Sequence, residues 1–255
     1  MIAGMAVSLE ECRQKLEVQG FLVLPGVFDA AEADGIRTGL QTAFAAQPQA
    51  TAIRAQGGSL YAARNVLSLW PETATVWRRA PLLEFVRAIL GEQAGLVRGL
   101  YFDKPPERTW ALPWHKDLTI AVKDNRLAGR SFNKPTTKAG VPHVEAPLEV
   151  LQNMLTARIH LDDVTEENGP LRVIPGSHRF GKVMPPGDVS PVSILVSTGD
   201  VLVMQPLLAH ASNHSQPGTV RHRRILHLEF AGAPLPDGYE WHDFHAVAPT
   251  SDVLE

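Results

Sequence analysis

Residues 223–231 read RRILHLEFA, a stretch that alternates with the period of an extended chain. Successive strand side chains point to opposite faces, so Arg223, Ile225, His227 and Glu229 share one face while Arg224, Leu226, Leu228 and Phe230 share the other. Working outward, similar short apolar runs occur at GLVRGLYF (95–102), HKDLTIAV (115–122), LTARIHLDDV (155–164), PLRVIPG (170–176), VSILV (192–196) and DVLVMQPLLAHAS (200–212). Gly, Pro, Asn and Asp separate them. So many brief strands with turn signals predict a β-sandwich or barrel rather than alternating βαβ units. No glycine-rich phosphate loop stands at a strand-to-helix junction, which disfavours a nucleotide-binding sheet. The expected fold is mainly β with flanking helices, a double-stranded β-helix of the jelly-roll or cupin-like barrel kind.

The first 94 residues read as mostly helical support. Ser8 with Glu11 forms a capping-box pattern ahead of Leu9, Cys12 and Leu16, and Gly20 closes the helix. A short strand FLVL follows; Asp29 with Glu32 repeats the cap, and Ala33, Ile36, Leu40 and Phe44 recur on one helical face. PLLEFVRAILG (81–91) begins with Pro and ends with Gly, as a helix does. The reading is a single domain over 1–255, with a jelly-roll core at 95–231, a lid-like insertion at 123–150 and a C-terminal segment at 232–255.

Composition narrows the class of partner. With Lys+Arg 24 against Asp+Glu 27, the net charge of -3 provides no field to attract nucleic acid or an anionic membrane, and a small-molecule substrate is expected. The lone Cys12 fits a buried small hydrophobe in a reducing cytoplasm, and the opening MIAGMAVSLEE lacks the basic region of a signal peptide. No run approaches the ~20 apolar residues of a membrane span. Oligomeric state has no signature in the chain.

PWHKD (113–117) is the chemical lead. On a strand, His115 and Asp117 project from one face and Lys116 from the other. Two metal ligands can be presented this way, although an arbitrary His-x-Asp more often has no such role. A third ligand must come from a distant strand, and among ten histidines His210 stands out because it closes the apolar run DVLVMQPLLAH before the small and polar residues ASN. Two histidines and a carboxylate on one face of an ion leave open positions for substrates, as in non-haem Fe(II) oxygenases. Arg223, at the entrance to the final strand, calls for an anion, either a neighbouring carboxylate of the protein or a dicarboxylate cosubstrate.

WHKD, TEENGPLRVIPGSHR, GDVLVMQPLLAHAS and RHRRILHLEFA, in that order, resemble the phytanoyl-CoA dioxygenase family of iron- and 2-oxoglutarate-dependent oxygenases, most specifically across residues 97–231. Carried over by position, the resemblance implies that His115, Asp117 and His210 hold Fe(II) and that Arg223 pairs with the far carboxylate of 2-oxoglutarate. Arg221 and Arg224 offer alternative registers. Ser212 adds a candidate hydrogen bond to the cosubstrate, and Arg158 is a candidate for the same cavity. The implied reaction consumes O2, releases succinate and CO2, and hydroxylates a C–H bond; Asp117, where related halogenases carry a small residue, favours hydroxylation over halogenation.

In the 123–150 insertion, Lys123, Arg126, Arg130, Lys134 and Lys138 give a basic bias that suits a carboxylate or phosphate on the substrate, or simply keeps a loop in water. His143 is a candidate to reach the site from the lid. Two other classes stay open: a cupin-like metalloenzyme that does not use 2-oxoglutarate, and a catalytically silent module that binds a small acid.

Overall fold

Two facing β-sheets with helices on one outer side form the frame, and the structure, a computed structural model, describes residues 8–56, 59–127, 131–187 and 190–247. The large sheet runs Phe21–Leu24, Val201–Met204, Met154–His160, Ile225–Ala231, Gly95–Phe102, Ser59–Ala63, Ile53–Gln56, with His245–Ala246 also pairing to Gly95–Phe102. The smaller runs Val192–Ile194, Leu171–Val173, His210–Ser212, Leu112–His115. Their antiparallel pairs join strands distant in sequence, the crossovers of a double-stranded β-helix. Both sheets are open rather than joined into one closed hydrogen-bonded barrel.

Alternation along the strands divides stability from function. On the outer face, Leu155, Ala157, Ile159, Leu226, Leu228 and Phe230 pack against helix residues such as Ile36, Leu40, Phe85 and Val86. Each such side chain contributes roughly 1.5–3 kcal/mol of burial. On the inner face, Leu202 and Met204 meet Leu171, Val173 and Ile194 of the small sheet and close one side of the sandwich. Toward the other side the inward residues are Arg158, His227 and Glu229, and the sheets enclose a cavity of about 310 Å³ instead of a core.

The helical start follows its sequence signals. Helices span Leu9–Gln19, Ala30–Ala45 and Ala80–Leu90; the first two carry complete capping boxes from Ser8 with Glu11 and Asp29 with Glu32, each interaction of a kind that contributes ~1 kcal/mol. Gly20 ends the first in the left-handed region. Among the described residues no helix is long and apolar enough to cross a membrane.

Several local readings differ. The region before residue 95 also contains the hairpin Ile53–Gln56/Ser59–Ala63, which extends the large sheet through Ala62 and Ala63. Its residues show no clean alternation because it is a mostly unburied edge. DVLVMQPLLAHAS is two strands in different sheets: Pro206 has no N–H to continue a ladder, and a turn closed by Leu208 N–H to Gln205 O redirects the chain. HKDLTIAV likewise divides after His115. The 123–150 segment, expected as a lid-like insertion, has regular structure among its described residues: the hairpin Asn133–Lys138/Val141–Glu145, paired with Thr119–Ala121, and the start of a short helix Leu148–Gln152. That hairpin escapes period-2 reading because NKPTTK is polar and largely exposed, and its turn residues Ala139 and Gly140, at φ 51 and 81, supply the geometry. Arg130 lies outside the described residues.

Candidate active site

His115 and His210 end up opposite one another because Leu112–His115 and His210–Ser212 are antiparallel neighbours in the small sheet, with these two residues in register. Each imidazole is oriented by its own backbone: Nδ1 of His115 lies 2.8 Å from the Pro113 carbonyl and Nδ1 of His210 lies 2.9 Å from the Leu208 carbonyl. A ring that donates through Nδ1–H leaves the Nε2 lone pair for a metal. Asp117 sits beyond the strand end, its N–H donated to the Pro206 carbonyl, while Lys116 turns the other way and gives its ammonium to Ser177 and Gly181 carbonyls. The Asp117 carboxylate consequently reaches 3.8 Å from His115 Nε2 and 3.6 Å from His210 Nε2.

One donor atom from each of the three lies within 4.8 Å of the others. Metal–ligand bonds of about 2.1 Å put neighbouring donors roughly 3–4 Å apart, so the set fits one ion. Two neutral nitrogens and one carboxylate oxygen suit a divalent first-row metal. Burial pushes the Asp117 carboxyl up, but the adjacent imidazoles and Arg158 outweigh it and hold it below its ordinary range, and burial pulls His210 down to about 4, so a carboxylate and a neutral imidazole face each other at neutral pH.

Arg223 lies in the same cavity, 2% exposed, and its Nε and Nη1 have no hydrogen-bond partner among the described residues. An uncompensated buried guanidinium is costly, and among the described residues no carboxylate is hydrogen-bonded or ion-paired to it. Burial and nearby Arg158 pull it down to about 9. The alternative registers are occupied: Arg224 makes a two-point ion pair with Asp162 at 2.7 and 2.8 Å, and Arg221 faces Glu167 at the surface. Arg223 is held by backbone bonds to Lys104 in both directions and by Asn168, whose amide donates to the carbonyl of His222. Lys104, fully buried, donates to Ser212 Oγ and to the Asn213 and Gly169 carbonyls. With its oxygen accepting from Lys104, the Ser212 hydroxyl directs its own hydrogen elsewhere.

These features coincide with a family signature. The model of phytanoyl-CoA dioxygenase (PhyH) matches residues 16–222. The chain belongs to the phytanoyl-CoA dioxygenase family. Its fold is similar to that of EctD from S. alaskensis with bound Fe, at 20% identity and a TM-score of 0.67 over 91% of this chain and 79% of that one. EctD with 2-oxoglutarate and 5-hydroxyectoine gives the same identity and TM-score over 91% and 78%. SnoK, a non-heme alpha ketoglutarate dependent carbocyclase from nogalamycin biosynthesis, matches at 17% identity and a TM-score of 0.63 over 89% and 87%.

Around this phytanoyl-CoA dioxygenase-family cavity the structure groups the residues singled out from sequence. His115, Asp117, His210, Ser212, Arg158, Arg223 and Lys138 line it. Lys134 does not: it is mostly exposed and pairs with Glu145 at 2.7 Å. His143 does not either; it is buried in the three-stranded sheet, with Nδ1 2.9 Å from the Val141 carbonyl, and desolvation pulls it down to about 4. The two lysines are four apart and would share a face on a regular strand; the register shift between Asn133 and Thr136, with Lys134 at φ 49, separates them, and a basic bias in the sequence does not reveal it.

From Arg158 a chain of residues without an assigned role in the sequence continues. Arg158 donates to His227 Nδ1 at 3.1 Å, His227 Nε2 lies 3.4 Å from Glu229, and Glu229 takes Arg98 at 3.1 Å, a polar chain across the cavity floor. Lys104, Arg64, Arg98 and Trp110 likewise had no motif to announce them. For His227 and Glu229 the signal was present, since both share the inward face with Arg223 in RRILHLEFA.

Proposed function

We propose that this protein is a non-haem Fe(II)- and 2-oxoglutarate-dependent dioxygenase of the cytoplasm, which hydroxylates a small organic substrate and releases succinate and CO2. The observation that carries the reading is the pairing of two features in one cavity: three donor atoms within 4.8 Å of one another, and a buried Arg223 whose Nε and Nη1 have no partner among the described residues. His115, Asp117 and His210 would hold the metal; Arg223 and Ser212 would hold the far carboxylate of 2-oxoglutarate, with Arg158 beside them. Iron with its cosubstrate and dioxygen supplies the oxidising chemistry, one oxygen atom leaving in succinate and the other entering the substrate C–H bond.

The chain's own part is geometry and exclusion. The Pro113 and Leu208 carbonyls keep both imidazoles in the ligating tautomer. Arg223 gives a dicarboxylate a fixed orientation through its planar fork, and its backbone is placed by paired bonds to Lys104 and by Asn168 on the neighbouring His222 carbonyl. Trp110, Phe102 and Leu100 supply apolar wall, which strengthens these polar contacts by keeping water out. Asp117 supplies a carboxylate at the third ligand position, which supports hydroxylation over halogenation.

The test is an anaerobic titration of metal-free protein with Fe(II) and 2-oxoglutarate, following the visible charge-transfer band of the chelate. Wild type should develop the band, while Asp117→Ala and Arg223→Ala should weaken or lose it; with air and substrate, succinate should appear. Metal binding without a band, unaffected by Arg223→Ala, would overturn the reading in favour of a cupin-like metalloenzyme.

A further inference from the structure

The charges lining the cavity do not balance once the proposed cofactors are counted. Five cationic head groups, Arg64, Arg98, Lys138, Arg158 and Arg223, face two carboxylates, Asp117 and Glu229. Lys116 also borders the cavity, but its ammonium is committed to the Ser177 and Gly181 carbonyls. Arg98 and Glu229 neutralise each other at 3.1 Å. Fe(II) and Arg223 together carry the charge that Asp117 and doubly anionic 2-oxoglutarate would cancel. Arg158, which donates to His227 Nδ1, adds a further uncancelled charge near Asp117. Arg64 and Lys138 are left with no hydrogen-bonded or ion-paired carboxylate among the described residues.

These two are held together rather than scattered. Asn65, next to Arg64, donates its side-chain amide to the carbonyl of Ala139, next to Lys138, at 3.1 Å. Ala139 in turn packs against the main hydrophobic core, so the hairpin tip carrying Lys138 is seated on the frame. Arg64 itself is fixed by its N–H bond to the Ala52 carbonyl. Both side chains are half-buried, and each is pulled below its ordinary pKa by burial and by the charge of Arg98. They neighbour Glu229, six residues along the chain from Arg223, a separation of up to roughly 20 Å on an extended strand. A second cationic subsite therefore lines the cavity on the side of the Arg98–Glu229 pair, apart from Arg223.

We propose that the substrate of this enzyme is a small anion whose carboxylate, phosphate or sulfate group is held between Arg64 and Lys138, on the Arg98–Glu229 side of the cavity and apart from the cosubstrate's arginine. The inference rests on the oxygenase reading for the word substrate, but the anion site itself stands on this chain's residues alone. A fixed anionic anchor in the same cavity as the metal ligands would present one stretch of the substrate's carbon chain for oxidation. The cavity volume, near the lower limit of small-molecule pockets, restricts the enclosed part of the ligand to a few carbons beside the cosubstrate.

The experiment uses anaerobic protein saturated with Fe(II) and 2-oxoglutarate, titrated separately with inorganic phosphate, sulfate, acetate and neutral acetamide. Two readouts are followed, the thermal midpoint and the chelate absorbance. At least one anion should raise the midpoint while acetamide does not, and the order among the three distinguishes carboxylate from phosphate and sulfate. Arg64→Gln/Lys138→Gln should weaken that anion at least tenfold, in line with loss of a charge-assisted hydrogen bond, and Arg64→Lys/Lys138→Arg should keep most of it. The glutamine variant should still form the chelate band, which also reports that it is folded. A band in wild type with no anion response, or with an equal response in the glutamine variant, overturns the inference and leaves the oxygenase reading standing. If no band forms, the titrations are repeated on metal-free protein beside Arg223→Gln: an anion response lost in the glutamine double variant but kept in Arg223→Gln upholds the site while the oxygenase reading falls, and any other pattern overturns both.

Discussion

His115 and His210 are cross-strand partners whose ring centroids stand 4.1 Å apart, each tied through Nδ1 to the carbonyl two residues before it. Two strands from distant parts of the chain thus present the same atom, Nε2, toward one point. The Asp117 carboxylate reaches that point because its backbone is anchored to Pro206, in the turn just ahead of His210.

Metal binding should therefore depend on all three side chains and stabilise the fold. At free Fe(II) 100-fold above the dissociation constant, wild type gains about 2.7 kcal/mol over metal-free protein. Anaerobic urea denaturation should show this gain, reversed by a chelator, and show almost none of it in His210→Ala or Asp117→Ala. An undiminished gain in either variant would place the ion elsewhere.

Adjacent arginines should respond with opposite signs. Arg223→Met removes a buried guanidinium lacking a protein carboxylate and should raise the stability of ligand-free protein by about 1–3 kcal/mol while weakening 2-oxoglutarate at least tenfold. Arg224→Met breaks the ion pair with Asp162 and should lower stability by about 1–3 kcal/mol, with 2-oxoglutarate affinity nearly unchanged. Denaturation and equilibrium titration on the two variants decide it; parallel effects would contradict the assignment of Arg223 to the cavity and Arg224 to the frame.

Asp103 should make stability fall with rising pH. Burial raises its carboxyl from 3.8 to about 6, with His222 at 3.1 Å opposing that rise. A folded-state pKa above the unfolded one contributes stability that is fully present below pH 3.8 and is lost as pH passes about 6. Asp103→Asn should match wild type near pH 4 and exceed it at pH 8 by about 3 kcal/mol, the equivalent of the shift. A difference constant across that range in denaturation curves would show that Asp103 titrates normally.

Gly169 is the seat of Lys104. Its φ is +65°, and a Cβ added there would fall 2.6 Å from the Asn213 carbonyl oxygen and 3.0 Å from Lys104 Nζ. Gly169→Ala should cost at least about 2 kcal/mol, from left-handed strain and the clash together. Because Lys104 also donates to Ser212, 2-oxoglutarate should bind more weakly as well. A normal chelate titration in this variant would detach Lys104 from the cosubstrate end.

Alternation in RRILHLEFA was enough to assign inward and outward faces, because a strand's period is a local property of the backbone. It correctly separated His227 and Glu229 from Leu226, Leu228 and Phe230. Capping at Ser8 and Asp29 was legible for the same reason: both partners lie within one helical turn. PWHKD and the run ending in His210 could be marked as chemically suggestive, yet HKDLTIAV and DVLVMQPLLAHAS each looked like one strand where there are two. The break in the second depends on Pro206 and on which sheet receives the chain after it.

What the sequence by itself determined was the strand-rich architecture, the apolar outer faces and the family signature, all carried by short-range periodicity and ordered motifs. Only the tertiary structure decided which arginine enters the cavity, since Arg221, Arg223 and Arg224 differ not in chemistry but in their partners among the described residues: Glu167 for Arg221, Asp162 for Arg224 and no paired carboxylate for Arg223. It also decided that Lys138 faces the site while Lys134 pairs outside it, and that Arg64, from an unremarked hairpin, joins Lys138. The physical reason is that charge is satisfied in space: a guanidinium's partner lies tens of residues away along the chain, and no local period records it.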